Sequence, residues 1–264
     1  MTPFVVFGID EHGVGTLALN RPDKHNALDD ELVKTLLDTL LELQNDPRLR
    51  VLVLTGMGRS FCAGGDLLHM ERMAEAGGSA NINDALLLGR CLRALSKFPR
   101  PVIARVNGSA YGGGVGLVAC ADIAIASSQS TFCLAEVRLG LAAATIVPYV
   151  VAAMGARAAR RLMLTAESFD ASQACAMGLL HAAVGEAELD QRIEQEIQLL
   201  LRGGPQAQQI SKQLVQDAWN VDVAERDGQL TTRAHALASI RTSAEAREGM
   251  RAYRERRRPA WASA

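Results

Sequence analysis

Pro101-Val102-Ile103-Ala104-Arg105-Val106 runs into Asn107-Gly108-Ser109-Ala110-Tyr111-Gly112-Gly113-Gly114 and then into Val115-Gly116-Leu117-Val118-Ala119-Cys120-Ala121. The first segment reads as a buried strand, the second as a glycine-rich turn and the third as a helix of small residues. Earlier in the chain the same order occurs: Val51-Leu52-Val53-Leu54 precedes Ser60-Phe61-Cys62-Ala63-Gly64-Gly65-Asp66-Leu67, and a helical stretch follows. Strand, turn and helix, met twice, predict an α/β fold in which successive ββα units wind around one core. Residues 122–126 and 131–134 add two further strands, and no exact sequence repeat is present.

Working outward, 4–9 and 14–20 are β-rich runs joined through 10–13, which predicts an antiparallel hairpin. Asp29 or Asp30 caps a helix whose Leu32, Leu36, Leu40 and Leu43 fall on one face, and residues 45–47 stop it. Beyond the first glycine turn the pattern predicts a helix, a loose connection over 74–80 and a second helix near 84–95. After about Glu186 the strands give out and helical patterns continue to Arg254, broken at 203–205. The chain therefore divides into a core over 1–185 and a helical C-terminal subdomain over 186–264.

The 264 residues are 48% hydrophobic and 22% charged, with a formal net charge of -1, so no global field draws this protein to nucleic acid or to an anionic membrane. Five cysteines, an odd number without metal-ligand spacing, predict no metal site and fit a reducing cytoplasm. Residues 1–10 lack a basic leader and a long apolar run. The most apolar stretch, 102–126, is interrupted by Arg105, Asn107, its glycines and Asp122, which excludes a membrane span. Arg254, Arg256, Arg257 and Arg258 lie beside Tyr253 and Trp261; they read either as a solvated helix end or as a contact for a phosphate or a neighbouring subunit.

Two glycine-rich loops, each leading from a strand to a helix, place backbone N–H groups where they can hold one developing negative oxygen if they converge. The motifs around them are specific. Asn20-Arg21-Pro22 with Asn26-Ala27-Leu28, Phe61-Cys62-Ala63-Gly64-Gly65-Asp66, Asn107-Gly108 through Gly112-Gly113-Gly114, Glu136-Val137-Arg138-Leu139-Gly140 and the closing Arg256-Arg257-Arg258-Pro259-Ala260-Trp261 resemble, in order and spacing, the enoyl-CoA hydratase/isomerase (crotonase) family.

That resemblance implies a crotonase-type spiral of ββα units with a C-terminal helical subdomain, assembled as trimers or pairs of trimers. It implies a CoA thioester substrate, with no cofactor beyond the coenzyme A of the substrate itself. The N–H groups of Ala63 and Gly113 would bind the thioester oxygen, one such donor being worth roughly 3 kcal/mol. Lys24, Ala27, Ala63, Gly64, Gly65, Asp66 and Leu67 would line the CoA, with Lys24 either reaching a phosphate or adenine or standing as a surface lysine. Asp66 fits a helix cap better than a base. Of two glutamates used by the family's hydratases, the chain keeps the second, Glu136, and has Gly116 at the first position, lining the acyl pocket. Glu136 sits among Phe132, Leu134, Val137 and Leu139, where desolvation raises a carboxyl pKa. If the backbone is extended there, Arg138 shares its side and serves as an ion-pair partner or an anchor for a substrate carboxylate. Within the family the chain is most similar to bacterial methylglutaconyl-CoA hydratase-like members, which implies hydration of a branched or carboxylated enoyl-CoA such as 3-methylglutaconyl-CoA, in leucine or acyclic terpene breakdown. A delta-isomerase using Glu136 as its single acid/base is the alternative.

Overall fold

The computed structural model describes residues 3–219 and 230–262. Strands β1 (Val5–Ile9) and β2 (Val14–Leu19) form the expected antiparallel hairpin, with Val5 opposite Leu19. Its turn is held by the Asp10 carboxylate, which accepts the N–H groups of His12 and Val14. Helix α1 (Asp30–Leu43) starts where Asp29 accepts the Leu32 N–H at 2.9 Å, and it buries Leu32, Leu36, Leu40 and Leu43. The chain continues through β3 (Val51–Gly56), α2 (Leu67–Glu75), α3 (Gly78–Ser96), β4 (Val102–Val106), β5 (Ala110–Tyr111), α4 (Gly113–Cys120), β6 (Ile123–Ser127) and β7 (Thr131–Cys133). It then forms α5 (Val147–Thr165), β8 (Phe169–Asp170), α6 (Ala171–Ala176), β9 (Ala182–Val184), α7 (Leu189–Leu201), α8 (Pro205–Trp219), α9 (Leu230–Arg241) and α10 (Ala244–Arg254).

The long strands make one sheet in the order β1-β2-β3-β4-β6-β9, parallel from β2 onward, and the short ones make a second in the order β5-β7-β8. A single bridge from Cys62 to Ala110 extends the second sheet. The units β4-β5-α4 and β6-β7-α5 each send a longer strand to one sheet, a short one to the other, and then a helix, and the β3 unit does the same with the Cys62 bridge in place of the short strand. That is the spiral expected from the repeated strand, turn and helix.

Alternation along the strands explains the layering. Leu17, Leu19, Leu52, Leu54 and Ala104 face the main core with the leucines of α1. Val51, Val53, Ile103 and Ile125 face the other way, against Leu189, Ile193 and Ile197 of α7. Helix α7 thus packs on the far face of the sheet across the boundary expected at 185/186, and α8 is tied to the same core by Lys212, 2.7 Å from Asp122, and by Gln216, which donates to the Ser96 carbonyl. The part of the helical expectation that falls on 220–229 lies outside the described residues.

Two other expectations change. The joint between the helices after the first glycine turn is confined to Ala76 and Gly77, and the Asn81 amide ties it by donating to the carbonyls of Met73 at 2.6 Å and Ala76 at 3.1 Å. Buried His69 braces the same corner, 2.8 Å from Asp84 of α3 and 3.3 Å from Asp30 of α1. The segment around Glu136 is a 3-10 turn over Glu136–Leu139, not a strand.

Candidate active site

The site begins with a knot in the loop after β2. Asn26, fully buried at a φ of 56°, donates through its amide to the carbonyls of Met57, Ser60 and Phe61 and accepts the Arg21 N–H. Arg21 bonds the Ala27 carbonyl at 2.7 Å and lies 2.8 Å from Asp29 and 3.3 Å from Asp66. These bonds join the two motifs: Arg21 holds Asn26 and Ala27, and Asn26 ties both to the loop after β3.

Leu28 then pairs with the first glycine loop as a strand would. Its N–H donates to the Gly64 carbonyl at 2.7 Å, and its carbonyl accepts the Asp66 N–H at 2.9 Å. Alternation turns the intervening N–H, that of Gly65, to the opposite side. The Ala63 N–H donates to the His25 carbonyl at 2.9 Å. The expectation that Ala63 supplies an oxyanion donor is therefore corrected: its proton is already used, and the N–H without an intramolecular acceptor among the described residues belongs to Gly65.

The second loop is laid directly against the first. The Tyr111 N–H donates to the Cys62 carbonyl at 2.9 Å. A Cβ on Gly64 would stand 2.7 Å from the Tyr111 carbonyl oxygen, and one on Gly114 would stand 2.4 Å from that of Cys62. Glycine is needed here because backbone meets backbone. Gly112, with a φ of 46°, gives its N–H to the Cys133 carbonyl, while Gly113, the first residue of α4, has an N–H with no acceptor among the described residues. Two unused N–H groups, from Gly65 and Gly113, thus lie on adjoining loops, the second reinforced by the helix N-terminus.

Glu136 comes to the same place. A Cβ on Gly112 would lie 2.6 Å from its Oε1, and its Oε2 is buried without a hydrogen-bond partner. Desolvation raises the carboxyl above its ordinary value, as the residue types around it imply, and its own backbone N–H only partly offsets this. Of the apolar neighbours in sequence, Phe132 and Leu134 are buried, whereas Val137 and Leu139 are exposed. A carboxylate with a raised pKa and one oxygen left without a partner, beside unused amide donors, can accept and return a proton next to an oxygen that gains negative charge. Cys62 is no competing nucleophile, since burial pushes its thiol up to about 12.

Gly116 does not open the pocket. It is buried, and a Cβ there would fall 2.3 Å from Cγ2 of Ile146 and 3.6 Å from a Leu92 methyl, so Ile146 already fills the space that the missing side chain leaves. Arg138 does not share the side of Glu136 in the manner of a strand: its guanidinium donates to the Ala166 carbonyl at 2.6 Å and forms no ion pair among the described residues. Asp66 is the N-cap of α2, accepting the His69 N–H. Partial burial pushes its carboxyl up, but the His69 N–H and the Arg21 guanidinium outweigh this and hold it below the ordinary range. Ala27 is buried beneath the knot and Leu67 is exposed beside the loop. Lys24 stands on the rim of a cleft of about 520 Å³, with Arg21, Asp66, Leu68 and Arg72. Among the described residues no group of three or more acidic, histidine or cysteine side chains is arranged to hold a metal ion, and no helix is long and apolar enough to cross a membrane.

Comparison with known proteins gives the geometry a context. A family model described as enoyl-CoA hydratase/isomerase matches residues 10–264. Mevalonyl-coenzyme A hydratase of Aspergillus fumigatus is 33% identical over 257 residues, covering 93% of this chain and 90% of that protein. Crotonyl-CoA hydratase of Syntrophomonas wolfei is 30% identical over 254 residues, covering 94% of each. The crystal structure of an enoyl-CoA hydratase from Shewanella pealeana superposes with a TM-score of 0.92 at 38% identity, over 98% of this chain and 96% of that one.

Proposed function

Since the chain belongs to the enoyl-CoA hydratase/isomerase family, we propose that it hydrates a branched enoyl-CoA, holding the thioester oxygen on the N–H groups of Gly65 and Gly113 and moving the α-proton with Glu136. As a member of that family it is an enzyme acting on CoA thioesters. The observation that carries the rest is the half-buried Glu136 carboxylate against Gly112, its Oε2 buried without a hydrogen-bond partner, one residue from the Gly113 N–H that has no acceptor among the described residues.

The chemistry follows from where charge develops. Adding water at the β-carbon, or taking a proton from the α-carbon, moves an electron pair onto the thioester oxygen. Donors fixed in the backbone stabilise that oxygen without reorganising. Glu136, biased toward its protonated form by burial, delivers a proton to the α-carbon as water adds at the β-carbon, and the proton that the water gives up restores the Glu136 carboxyl; dehydration runs the same transfers backward. The CoA lies along Lys24, Ala27 and the 63–67 loop in this reading, with Lys24 free to meet a phosphate. Trimers or pairs of trimers are the proposed assembly.

For the acyl group, the resemblance to methylglutaconyl-CoA hydratase-like members and the name of the Aspergillus relative favour a branched chain such as 3-methylglutaconyl-CoA. A second reading, a delta-isomerase with Glu136 as its single acid/base, is favoured by Ile146, which closes the Gly116 side to another acid or base. A spectrophotometric trace separates the two. Hydration of 3-methylglutaconyl-CoA or crotonyl-CoA removes the conjugated absorbance, whereas isomerisation of a 3-enoyl-CoA creates it. Hydratase turnover absent on all 2-enoyl esters, with conversion of the 3-enoyl ester, would overturn the first reading.

A further inference from the structure

The structure assigns to Arg138 the role of a positioning residue: its bond to the Ala166 carbonyl tethers the 3-10 turn that carries Glu136 to the C-terminus of α5. This rests on the reading of Glu136 as the acid/base. The Glu136 carboxylate has one oxygen buried without a partner, and the described side chains include none that fixes it by a hydrogen bond or an ion pair. Its placement is therefore set by the backbone beneath it, and that backbone is a short turn ending at Gly140 in the left-handed region.

What secures the turn is concentrated on Ala166. This buried residue caps α5 at a φ of 50°, and its carbonyl accepts the Cys133 thiol at 3.1 Å and the Arg138 guanidinium at 2.6 Å. The two donors lie three residues before and two residues after Glu136, so they hold both flanks of the carboxylate's segment to one atom. A cation at a helix C-terminus is electrostatically favoured, and a charge-assisted bond is the stronger kind. Within the turn, the Arg138 N–H bonds the Ala135 carbonyl and the Leu141 N–H bonds that of Glu136. Loss of the tether leaves these local bonds in place but frees the turn to shift against Gly112, from which a Cβ would lie only 2.6 Å from Oε1.

The role differs from anchoring a substrate carboxylate, and the two separate kinetically. Wild type, Arg138→Lys, Arg138→Met and Glu136→Gln are assayed on crotonyl-CoA and on a glutaconyl-type CoA ester, with thermal melts of each protein. A misplacement of about 1 Å costs on the order of 100-fold, so Arg138→Met is expected to lower kcat by about 10- to 100-fold on both esters, with KM little changed. Arg138→Lys, which keeps a cation at the end of α5, retains more of kcat. If Arg138→Met fails to fold, the same kcat-over-KM split is read on Arg138→Lys. A rise in KM confined to the carboxylated ester overturns the proposal in favour of substrate anchoring. Arg138 variants with wild-type kcat, beside an inactive Glu136→Gln, overturn the tether alone. Full turnover by Glu136→Gln overturns the reading of Glu136 on which it rests.

Discussion

Glu136→Gln should make the protein a worse catalyst and a more stable fold. The change keeps the side-chain volume and removes the charge. Loss of a positioned general acid/base costs about 100- to 10,000-fold in turnover. On stability, Oε2 is buried with no partner, and leaving such a group unsatisfied costs about 1–3 kcal/mol, more when it is charged. The amide recovers part of this. A gain of about 1 kcal/mol raises the melting temperature by roughly 2–4 °C for a domain of this size. Burial raises the carboxyl pKa in the folded state, so the folded protein binds this proton more tightly than the unfolded chain does. The stability that the group contributes is complete below its unfolded pKa and is lost as pH rises through the raised folded value. The melting gap between variant and wild type should therefore be small in acid and widen toward neutral pH. Melts across pH 4–8 (roughly the window set by ordinary carboxyl values), with turnover measured on the same samples, provide the assay. A gap that does not change with pH, or a wild type that melts higher at neutral pH, would show that the carboxylate is not held in the dry, unpaired state from which its chemistry was argued.

Gly113→Pro should retain the fold, because position 113 is the first residue of α4, where proline is tolerated. It should lose about 100- to 1,000-fold in kcat with the amide donor, while Gly113→Ala, which meets only the end of the Leu28 side chain, stays far more active. Gly112→Ala should abolish turnover, since its Cβ would press on the Glu136 carboxylate at 2.6 Å from a φ of 46°; rates near wild type would separate that carboxylate from the glycine loop. Gly116→Ala should lower the melting temperature, and Ile146→Ala should relieve part of the loss in the double variant, because Cγ2 of Ile146 stands 2.3 Å from the new carbon. Additive effects would refute the interlock. Asn26→Ala should cost about 2 kcal/mol or more, measured by denaturant unfolding, since one buried amide serves the carbonyls of Met57, Ser60 and Phe61.

Strands β1 to β4, β6 and β7 and the two glycine loops were legible in the sequence because alternation and glycine are local signals, and the cap was narrowed to Asp29 or Asp30 for the same reason, whereas the short β5, β8 and β9 were not. The path of α7 was not. Its Leu189, Ile193 and Ile197 have the spacing of any amphipathic helix, and nothing local says that their partners are Val51, Val53, Ile103 and Ile125 on the far face of a sheet. Glu136 was located by its neighbours, yet the 3-10 turn that carries it was not, and the side of Arg138 was argued only on the condition of an extended backbone. Glu136-Val137-Arg138-Leu139 alternates like a strand, and the turn is imposed by Gly140 and by the contact with Ala166. Gly65 was named among the residues along the CoA, but its amide was overlooked in favour of that of Ala63. The choice depends on which of two N–H groups, two residues apart, the loop carrying His25 and Leu28 takes up, and composition carries no trace of that. Gly116 misled in a similar way: an absent side chain reads as space, until Ile146 is found occupying it.

The two proposed oxygen-binding groups are peptide N–H groups of glycines, and this affects how such a centre can be detected or lost. An alanine scan, the usual way to find functional residues, leaves every amide proton in place and would pass over them both. Replacing the peptide bond itself, by an ester at position 65 or 113, is the chemical edit that reads them directly. Mutational drift meets the same barrier: a codon change at these positions harms function only through the bulk it adds or, for proline, the proton it removes. Side chains around the site can therefore change from one descendant enzyme to another while the proposed oxygen-binding centre, carried by the main chain, passes on unaltered.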